Sequence, residues 1–160
     1  MPQPYTAAVL TVSDSSYRGV RPDASGPAVA QALSDAGFQV ATTAIVPDDQ
    51  AAIERELIRL CGLARLVVTT GGTGIAPRDV TPEATLAICH RLLPGVAERM
   101  RSQGAHSNPR AVLSRAVCGV RDESLILKLP GSPAGATESL AAVMDVLPHA
   151  LALLQGHTEH

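Results

Sequence analysis

Short apolar runs alternate with segments of helical periodicity along the first half of the chain. Three of these runs are too short for helices and are typical of buried strands: Ala7–Ser13, Phe38–Val46 and Arg65–Thr70. The segment 26–36 and the segment from Asp48 to about Cys61 repeat their apolar residues at helical spacing, which predicts helices. Strands that alternate with helices of this length form βαβ units, so the pattern predicts a parallel sheet with helices on both faces.

The second half of the chain continues the alternation and adds a hairpin. Thr81 as N-cap with Pro82 at the first helical position predicts a helix to about Leu93, broken by Pro94-Gly95, and a short helix over Val96–Gln103. Two further strands flank a hairpin turn at Arg121–Ser124, and a last helix runs from about Ala136 toward Leu154, interrupted near Pro148. The strands of this hairpin are Arg115–Val120 and Leu125–Leu129. The prediction is a three-layer α/β fold, mostly parallel with an antiparallel end.

Length and charge limit the classes of protein further. The chain has 160 residues, the size of one domain, so we expect a single unit over 1–160 with a mobile tail from about residue 156. A net charge of −2 and an aromatic content of 2% argue against nucleic acid as a partner. No apolar run is long enough for a membrane helix, and the first residues do not resemble a secretory signal, so we expect a cytoplasmic protein. Three scattered cysteines predict buried free thiols.

The loop that follows the third strand carries the densest chemical signal. Glycine residues at Gly71, Gly72 and Gly74 let a backbone approach a ligand closely and expose N–H groups, and Thr70 and Thr73 add hydroxyl donors. Such a loop binds an anion such as phosphate, or it is simply a tight turn from strand to helix. It is neither a Walker loop nor a dinucleotide-binding GxGxxG fingerprint, which counts against an NAD-dependent or nucleotide-sugar enzyme.

Three aspartates lie near the carboxyl ends of predicted strands, where ligands bind in such sheets. Asp14, Asp48 and Asp79 each have a structural alternative, as a turn residue, an N-cap and a residue that precedes a helix. Carboxylates beside a phosphate-binding loop repel the phosphate unless a cation joins them, and Mg²⁺ is commonly held by one or two carboxylates plus phosphate oxygens. The residues alone therefore suggest a magnesium-assisted phosphate or nucleotide site.

Five segments together resemble the molybdopterin adenylyltransferase family, the MogA/MoaB-like fold that the G domain of gephyrin shares. The resemblance covers nearly the whole chain in the order of these segments: Thr11–Asp14, Val46–Asp48, Thr69–Gly74, Arg78–Ala84 and Leu129–Pro133. It implies an α/β/α sandwich that assembles as a homotrimer. It also implies that ATP, with Mg²⁺, adenylylates molybdopterin and releases pyrophosphate in molybdenum cofactor biosynthesis, without a tightly bound organic cofactor.

The resemblance also implies roles for individual residues. Asp48 and Asp79 match the two catalytic aspartates and are the tentative Mg²⁺ ligands. Contacts to the pterin and the nucleotide are carried over to the strand-end loops: Ser13, Asp14, Thr70, Gly71, Gly72, Thr73, Gly74, Pro130, Gly131 and Ser132. Glu98 matches a further segment that borders the site.

Some relatives keep this fold but lose the aspartates and bind without adenylylating. A non-catalytic molybdopterin carrier or scaffold is therefore the alternative function, and the retained aspartates favour the enzyme. No metal-insertion domain fits in 160 residues, so the resemblance implies transient contact with a separate molybdate-insertion protein.

Overall fold

The computed structural model describes residues 3–158 and contains one six-stranded sheet with the order β2-β1-β3-β6-β5-β4. The strands are β1 Thr6–Val12, β2 Gln39–Val46, β3 Leu66–Thr70, β4 Arg91–Leu92, β5 Cys118–Arg121 and β6 Ser124–Leu129. Strands β1, β2, β3 and β6 run parallel, and β5 pairs antiparallel with both β6 and β4. The predicted parallel sheet with an antiparallel end is confirmed.

Helices cover both faces of the sheet. They are α1 Asp14–Tyr17, α2 Ser25–Asp35, α3 Gln50–Cys61, α4 Thr81–Ile88, α5 Pro94–Ser107, α6 Pro133–Val143 and α7 Leu147–Leu154, with a 3₁₀ turn over Pro109–Leu113. Side chains of α2, α5, α6 and α7 form one apolar core with one face of the central strands, and side chains of α3 and α4 form a second core with the other face. Because alternate residues of a strand point to opposite faces, Val9 enters the first core and Leu10 the second.

Several predicted boundaries are wrong for local reasons. The sequence predicts a loop directly after β1, but Ser13 accepts a hydrogen bond from the Ser16 amide and starts the single turn of α1. The helix predicted from Thr81 to about Leu93 ends at Ile88, since the backbone becomes extended at Cys89 and β4 follows. Pro94 does not break a helix; it stands in the first turn of α5, where its missing N–H costs nothing.

The end of the chain differs from the prediction in detail. The last helical region consists of α6 and α7, and Pro148 lies in the first turn of α7 rather than inside a continuous helix. Among the described residues no single helix is long and apolar enough to cross a membrane; α6 and α7 reach that length only together, and they are bent by 64°. The tail predicted to be mobile from about residue 156 lies partly outside the described residues, as do the first two residues of the chain. Cys118 is buried and Cys61 and Cys89 half-buried, all three as free thiols.

Candidate active site

A cleft of about 330 Å³ lies at the carboxyl ends of β1, β2, β3 and β6. In a doubly wound sheet this edge is the ordinary place for a ligand. Its lining comes from the ends of β1, β2, β3 and β6, with the Gly71–Gly72 turn, Asp48 and Asp79, and from the loop before α2. Segments that are far apart in the sequence therefore meet at one cavity.

The turn at Gly71-Gly72 requires glycine at both positions. The two residues have φ values of +101° and +66°, in the region that side chains rarely occupy. A Cβ at Gly71 would stand 2.2 Å from the carbonyl oxygen of Val12, and a Cβ at Gly72 would stand 2.2 Å from Thr81 Oγ1. The Gly71 carbonyl accepts a hydrogen bond of 3.1 Å from Thr81 Oγ1, which ties the turn to the first residue of α4.

Asp48 lies against this turn and is held by Asp14. The Asp14 amide donates to Asp48 Oδ2 at 3.0 Å, and the Asp48 amide donates to Asp14 Oδ1 at 2.9 Å. The other Asp48 oxygen, Oδ1, would be 3.3 Å from a Cβ at Gly72. Asp14 is thus engaged through one oxygen with Asp48 and through the other with the Arg78 guanidinium, 2.7 Å away. These contacts make Asp14 a residue that orients Asp48.

Asp79 closes the same loop before α4. Its Oδ2 accepts the Ala76 amide at 3.0 Å, and its own amide donates to the Ala76 carbonyl at 2.9 Å. A Cβ at Gly74 would stand 2.8 Å from Asp79 Oδ2, so the absence of a side chain at Gly74 makes room for the carboxylate. Asp48 and Asp79 both line the cleft.

The carboxylates influence one another electrostatically. Partial burial raises the pKa of Asp48, and the negative charges of Asp14 and Asp79 raise it further, against the stabilising amide of Asp14. The hydrogen bond from Arg78 and the Asp48 amide lower the pKa of Asp14. Of Asp14 and Asp48, Asp48 is therefore the carboxylate whose ionised form is less stabilised by the protein, which is a reason for it to gain from a nearby cation.

The segment Pro130–Ser132 lies directly beside the glycine turn. The Pro130 carbonyl accepts the Thr70 hydroxyl at 2.7 Å, and a Cβ at Gly131 would stand 3.4 Å from the Gly71 α-carbon. Ser132 caps α6, because its hydroxyl oxygen accepts the Gly135 amide at 3.1 Å. Its role in the fold is thus a helix cap at the border of the cleft.

Most of the predicted site residues come together here. Eight of them line the cleft directly: Ser13, Asp48, Thr70, Gly71, Gly72, Asp79, Gly131 and Ser132. The remaining residues of these segments are close to lining residues in sequence but do not line the cleft: Asp14, Thr73, Gly74 and Pro130. Glu98 is exposed on α5 and is not among the lining residues of this chain, so its place at the site stays a prediction.

Sequence reasoning missed Asp23 and Ser25. Arg21, Asp23 and Ser25 line the cleft, and Asp23 accepts hydrogen bonds from the Thr11 hydroxyl at 2.7 Å and the Gly26 amide at 3.0 Å. Arg78 and Arg115 both hold the loop that carries Asp79, Arg78 from an exposed position. The signal available for Asp23 was its position just before a helix that starts Ser25-Gly26.

The donor set fits Mg²⁺ brought with a phosphate ligand. Among residues 3–158 there is no group of three or more His, Cys, Asp and Glu side chains that would hold a metal ion. Asp48 and Asp79 offer hard oxygen donors, and Mg²⁺ usually keeps waters and phosphate oxygens beside one or two carboxylates. Binding of Mg²⁺ at Asp48 and Asp79 would therefore depend on the bound phosphate ligand.

A larger cavity of about 650 Å³ lies elsewhere, at the amino ends of β1 and β2, and is lined by Tyr5, Phe38 and Arg65. Its lining residues within 3–158 include no carboxylate and none of the glycine-rich loop. The smaller cleft is the candidate site because of its functional groups, which decide chemistry more than volume does.

Comparison with known proteins shows the family to which the chain belongs. The family described as a probable molybdopterin binding domain matches residues 8–149, and the chain belongs to this family. The molybdopterin adenylyltransferase of Helicobacter pylori (strain J99) is 42% identical over 93% of this chain and 87% of its own length. The molybdopterin adenylyltransferase of Escherichia coli K12 is 40% identical over 92% of this chain and 84% of its own length.

A solved structure shows the same fold. The crystal structure of the molybdopterin biosynthesis enzyme MoaB from Thermus thermophilus superposes with a TM-score of 0.90 at 48% identity, over 95% of this chain and 97% of that one. The α/β/α fold implied by the resemblance is confirmed.

Proposed function

We propose that this protein is a molybdopterin adenylyltransferase that acts in molybdenum cofactor biosynthesis. The observation that carries the proposal is the convergence of Asp48 and Asp79 on one cleft beside the Gly71–Gly72 turn. Relatives with this name are 40–42% identical over more than nine-tenths of the chain. The substrates proposed for this chain are molybdopterin and ATP.

The reaction joins two anions. An oxygen of the terminal phosphate of molybdopterin attacks the α-phosphorus of ATP; a new P–O bond forms, the bond between the α-phosphorus and its bridging oxygen breaks, and pyrophosphate leaves with the electron pair. The attacking oxygen is already deprotonated, so no general base is needed. The work of the protein is to position the reactants and to reduce their repulsion.

Asp48 and Asp79 are the residues that would hold Mg²⁺. When bound, the ion supplies charge neutralisation at the α-phosphate and a fixed point for its oxygens. Asp14 and Ala76 keep the two carboxylates in place through backbone hydrogen bonds, so that the carboxylates are oriented before the ligand arrives. Such preorganisation lowers the cost of bringing the reactants together.

Other groups of the cleft suit the remaining phosphates and the rings. Arg21 is the cationic side chain among the lining residues, and its guanidinium suits a phosphate. The described part of the cleft has no aromatic lining residue, so the adenine and pterin rings would pack on glycine backbone and on aliphatic side chains such as Val12 and Pro133.

The resemblance extends the proposal beyond the single chain. We infer a homotrimer in the cytoplasm that passes its product to a molybdate-insertion protein by transient contact, with no nucleic acid or membrane as partner. Sedimentation tests the assembly, because a monomer has a mass of 16.5 kDa and a trimer three times that.

A turnover assay tests the activity. The purified chain, given molybdopterin and Mg-ATP, is expected to form adenylylated molybdopterin and one pyrophosphate per product, and to form none when EDTA replaces Mg²⁺. Binding of molybdopterin without any ATP-dependent product would instead identify the carrier or scaffold.

A further inference from the structure

The loop between β3 and α4 has little apolar anchoring of its own. Residues 75–78 are all exposed, and Ile75 is 70% exposed. Since this loop carries Asp79, its position must be fixed by polar contacts if the carboxylate is to stay at the cleft. Two arginines supply many of those contacts, and Arg115 reaches the loop from a distant part of the sequence.

Arg115 contacts the loop at three places. Its amide donates to the Thr73 carbonyl at 2.8 Å, its Nε to the Gly74 carbonyl at 2.8 Å, and one terminal nitrogen to the Asp79 carbonyl at 2.6 Å. The other terminal nitrogen pairs with Glu83 in the first turn of α4. One guanidinium thus joins the two ends of the loop and the helix that follows.

These contacts act directly on the backbone around the Asp79 carboxylate. Arg115 holds the carbonyl of Asp79 itself, and it holds Gly74, where a Cβ would stand 2.8 Å from Asp79 Oδ2. The planar guanidinium offers several donors in fixed directions, whereas a lysine ammonium offers one point of charge. Only arginine can satisfy both carbonyls and the Glu83 carboxylate from a single side chain.

We propose that Arg115 is a positioning residue for the transfer reaction: it fixes the Gly74–Asp79 loop so that the Asp79 carboxylate stays at the cleft that Asp48 also lines. Arg115 itself does not line the cleft, so it acts through Asp79. This inference rests on the proposed function. Misplacement of a catalytic group by about 1 Å can cost roughly 100-fold in rate, so the loss of these hydrogen bonds should reduce turnover strongly.

The test compares Arg115→Lys with Arg121→Lys. Arg121 also donates its guanidinium to a backbone carbonyl of α4, that of Ile88 at 2.8 Å, but at the far end of the helix from the cleft. We expect Arg115→Lys to lower kcat about 10–100-fold with a KM for ATP within a few-fold of wild type. Arg121→Lys should keep the wild-type kcat. Guanidinium chloride at millimolar concentration should restore part of the turnover of Arg115→Ala. It should restore none of the turnover that Asp79→Ala has lost.

Hydrogen exchange provides a readout that is independent of activity. The amides of residues 74–79 should exchange faster in Arg115→Lys, while those of β3 stay protected as in wild type. Wild-type kcat in Arg115→Lys, or an equal loss in Arg121→Lys, overturns the proposal. If the wild-type chain gives no adenylylated product, the proposed function fails. Unchanged exchange of the loop amides in Arg115→Lys would separately show that Arg115 does not hold the loop.

Discussion

Asp14 and Asp48 exchange a pair of hydrogen bonds in which each backbone amide donates to the other residue's carboxylate, at 3.0 Å and 2.9 Å. The two residues are 34 positions apart and follow neighbouring parallel strands, β1 and β2. The pair fixes the Asp48 side chain beside the glycine turn. It also keeps two negative charges close together, and the Arg78 guanidinium offsets them through its ion pair with Asp14.

The crowded carboxylates predict that Asp48→Asn stabilises the free protein. The pKa of Asp48 is raised by burial and by the charges of Asp14 and Asp79, so its contribution to stability is present at low pH and is lost as the pH rises above the unfolded value of 3.8. Asparagine can still accept the Asp14 amide. We expect the free energy of unfolding at pH 7 to rise by roughly 0.5–2 kcal/mol, the usual gain when such repulsion at a functional site is removed.

Urea denaturation at pH 7 measures this effect, with Asp49→Asn as the matched control. Asp49 caps α3 by accepting the Ala52 amide at 2.9 Å and lies outside the cleft lining. Asp48→Asn should gain stability and lose turnover. Lower stability in Asp48→Asn than in wild type would show that the carboxylate is stabilised where it stands.

Substitutions of Arg21 and Arg18 test whether a positive charge that lines the cleft binds a substrate phosphate. Both lie in the segment between α1 and α2, but only Arg21 lines the cavity. Because Arg21 would meet a phosphate, Arg21→Gln should raise the KM for ATP or for molybdopterin by about 10-fold, corresponding to the loss of one charged hydrogen bond. Arg18→Gln should leave both values within about 2-fold. Steady-state kinetics with each substrate varied in turn identifies which phosphate is bound, and equal effects in the two variants would exclude a role for Arg21.

Lys128 is the single lysine of the chain and is fully buried, and its Nζ has no hydrogen-bond partner among residues 3–158. Burial and the nearby Arg115 lower its pKa well below 10.5. The unfolded chain therefore binds a proton that the folded chain does not, and stability rises with pH between the lowered pKa and 10.5. Lys128→Met removes the unpartnered amine and should stabilise the protein by about 1–3 kcal/mol.

The pH dependence separates this effect from simple repacking. Between the lowered folded pKa of Lys128 and its unfolded value of 10.5, the wild-type free energy of unfolding should rise by up to about 1.4 kcal/mol per pH unit more than that of Lys128→Met. Chemical denaturation of both proteins across this range gives the difference, in which other titrating groups cancel. Parallel curves, or a destabilised Lys128→Met, would mean that the amine is satisfied in the folded protein.

The sequence predicted the sheet and the part of the site formed by the glycine turn and its aspartates, because both depend on local patterns. Apolar runs indicated the strands. The glycine and aspartate residues that follow the strands indicated the part of the cleft lined by Asp48 and Asp79. The helix ending at Ile88 and the start of α5 at Pro94 were missed because tertiary pairing of the two-residue strand β4 overrides the apolar pattern there. The pattern had no way to indicate Arg115, because its role depends on carbonyl groups far away along the chain, at Gly74 and Asp79.

The central claim is that Asp79 and Asp48 act together on a bound nucleotide, and one assay tests it most directly. Asp79→Asn keeps an acceptor for the Ala76 amide but removes the negative charge. With molybdopterin and Mg-ATP it should form adenylylated molybdopterin at least about 100-fold more slowly than wild type while it binds molybdopterin with similar affinity. Full turnover in Asp79→Asn would contradict the account and remove this carboxylate from the reaction.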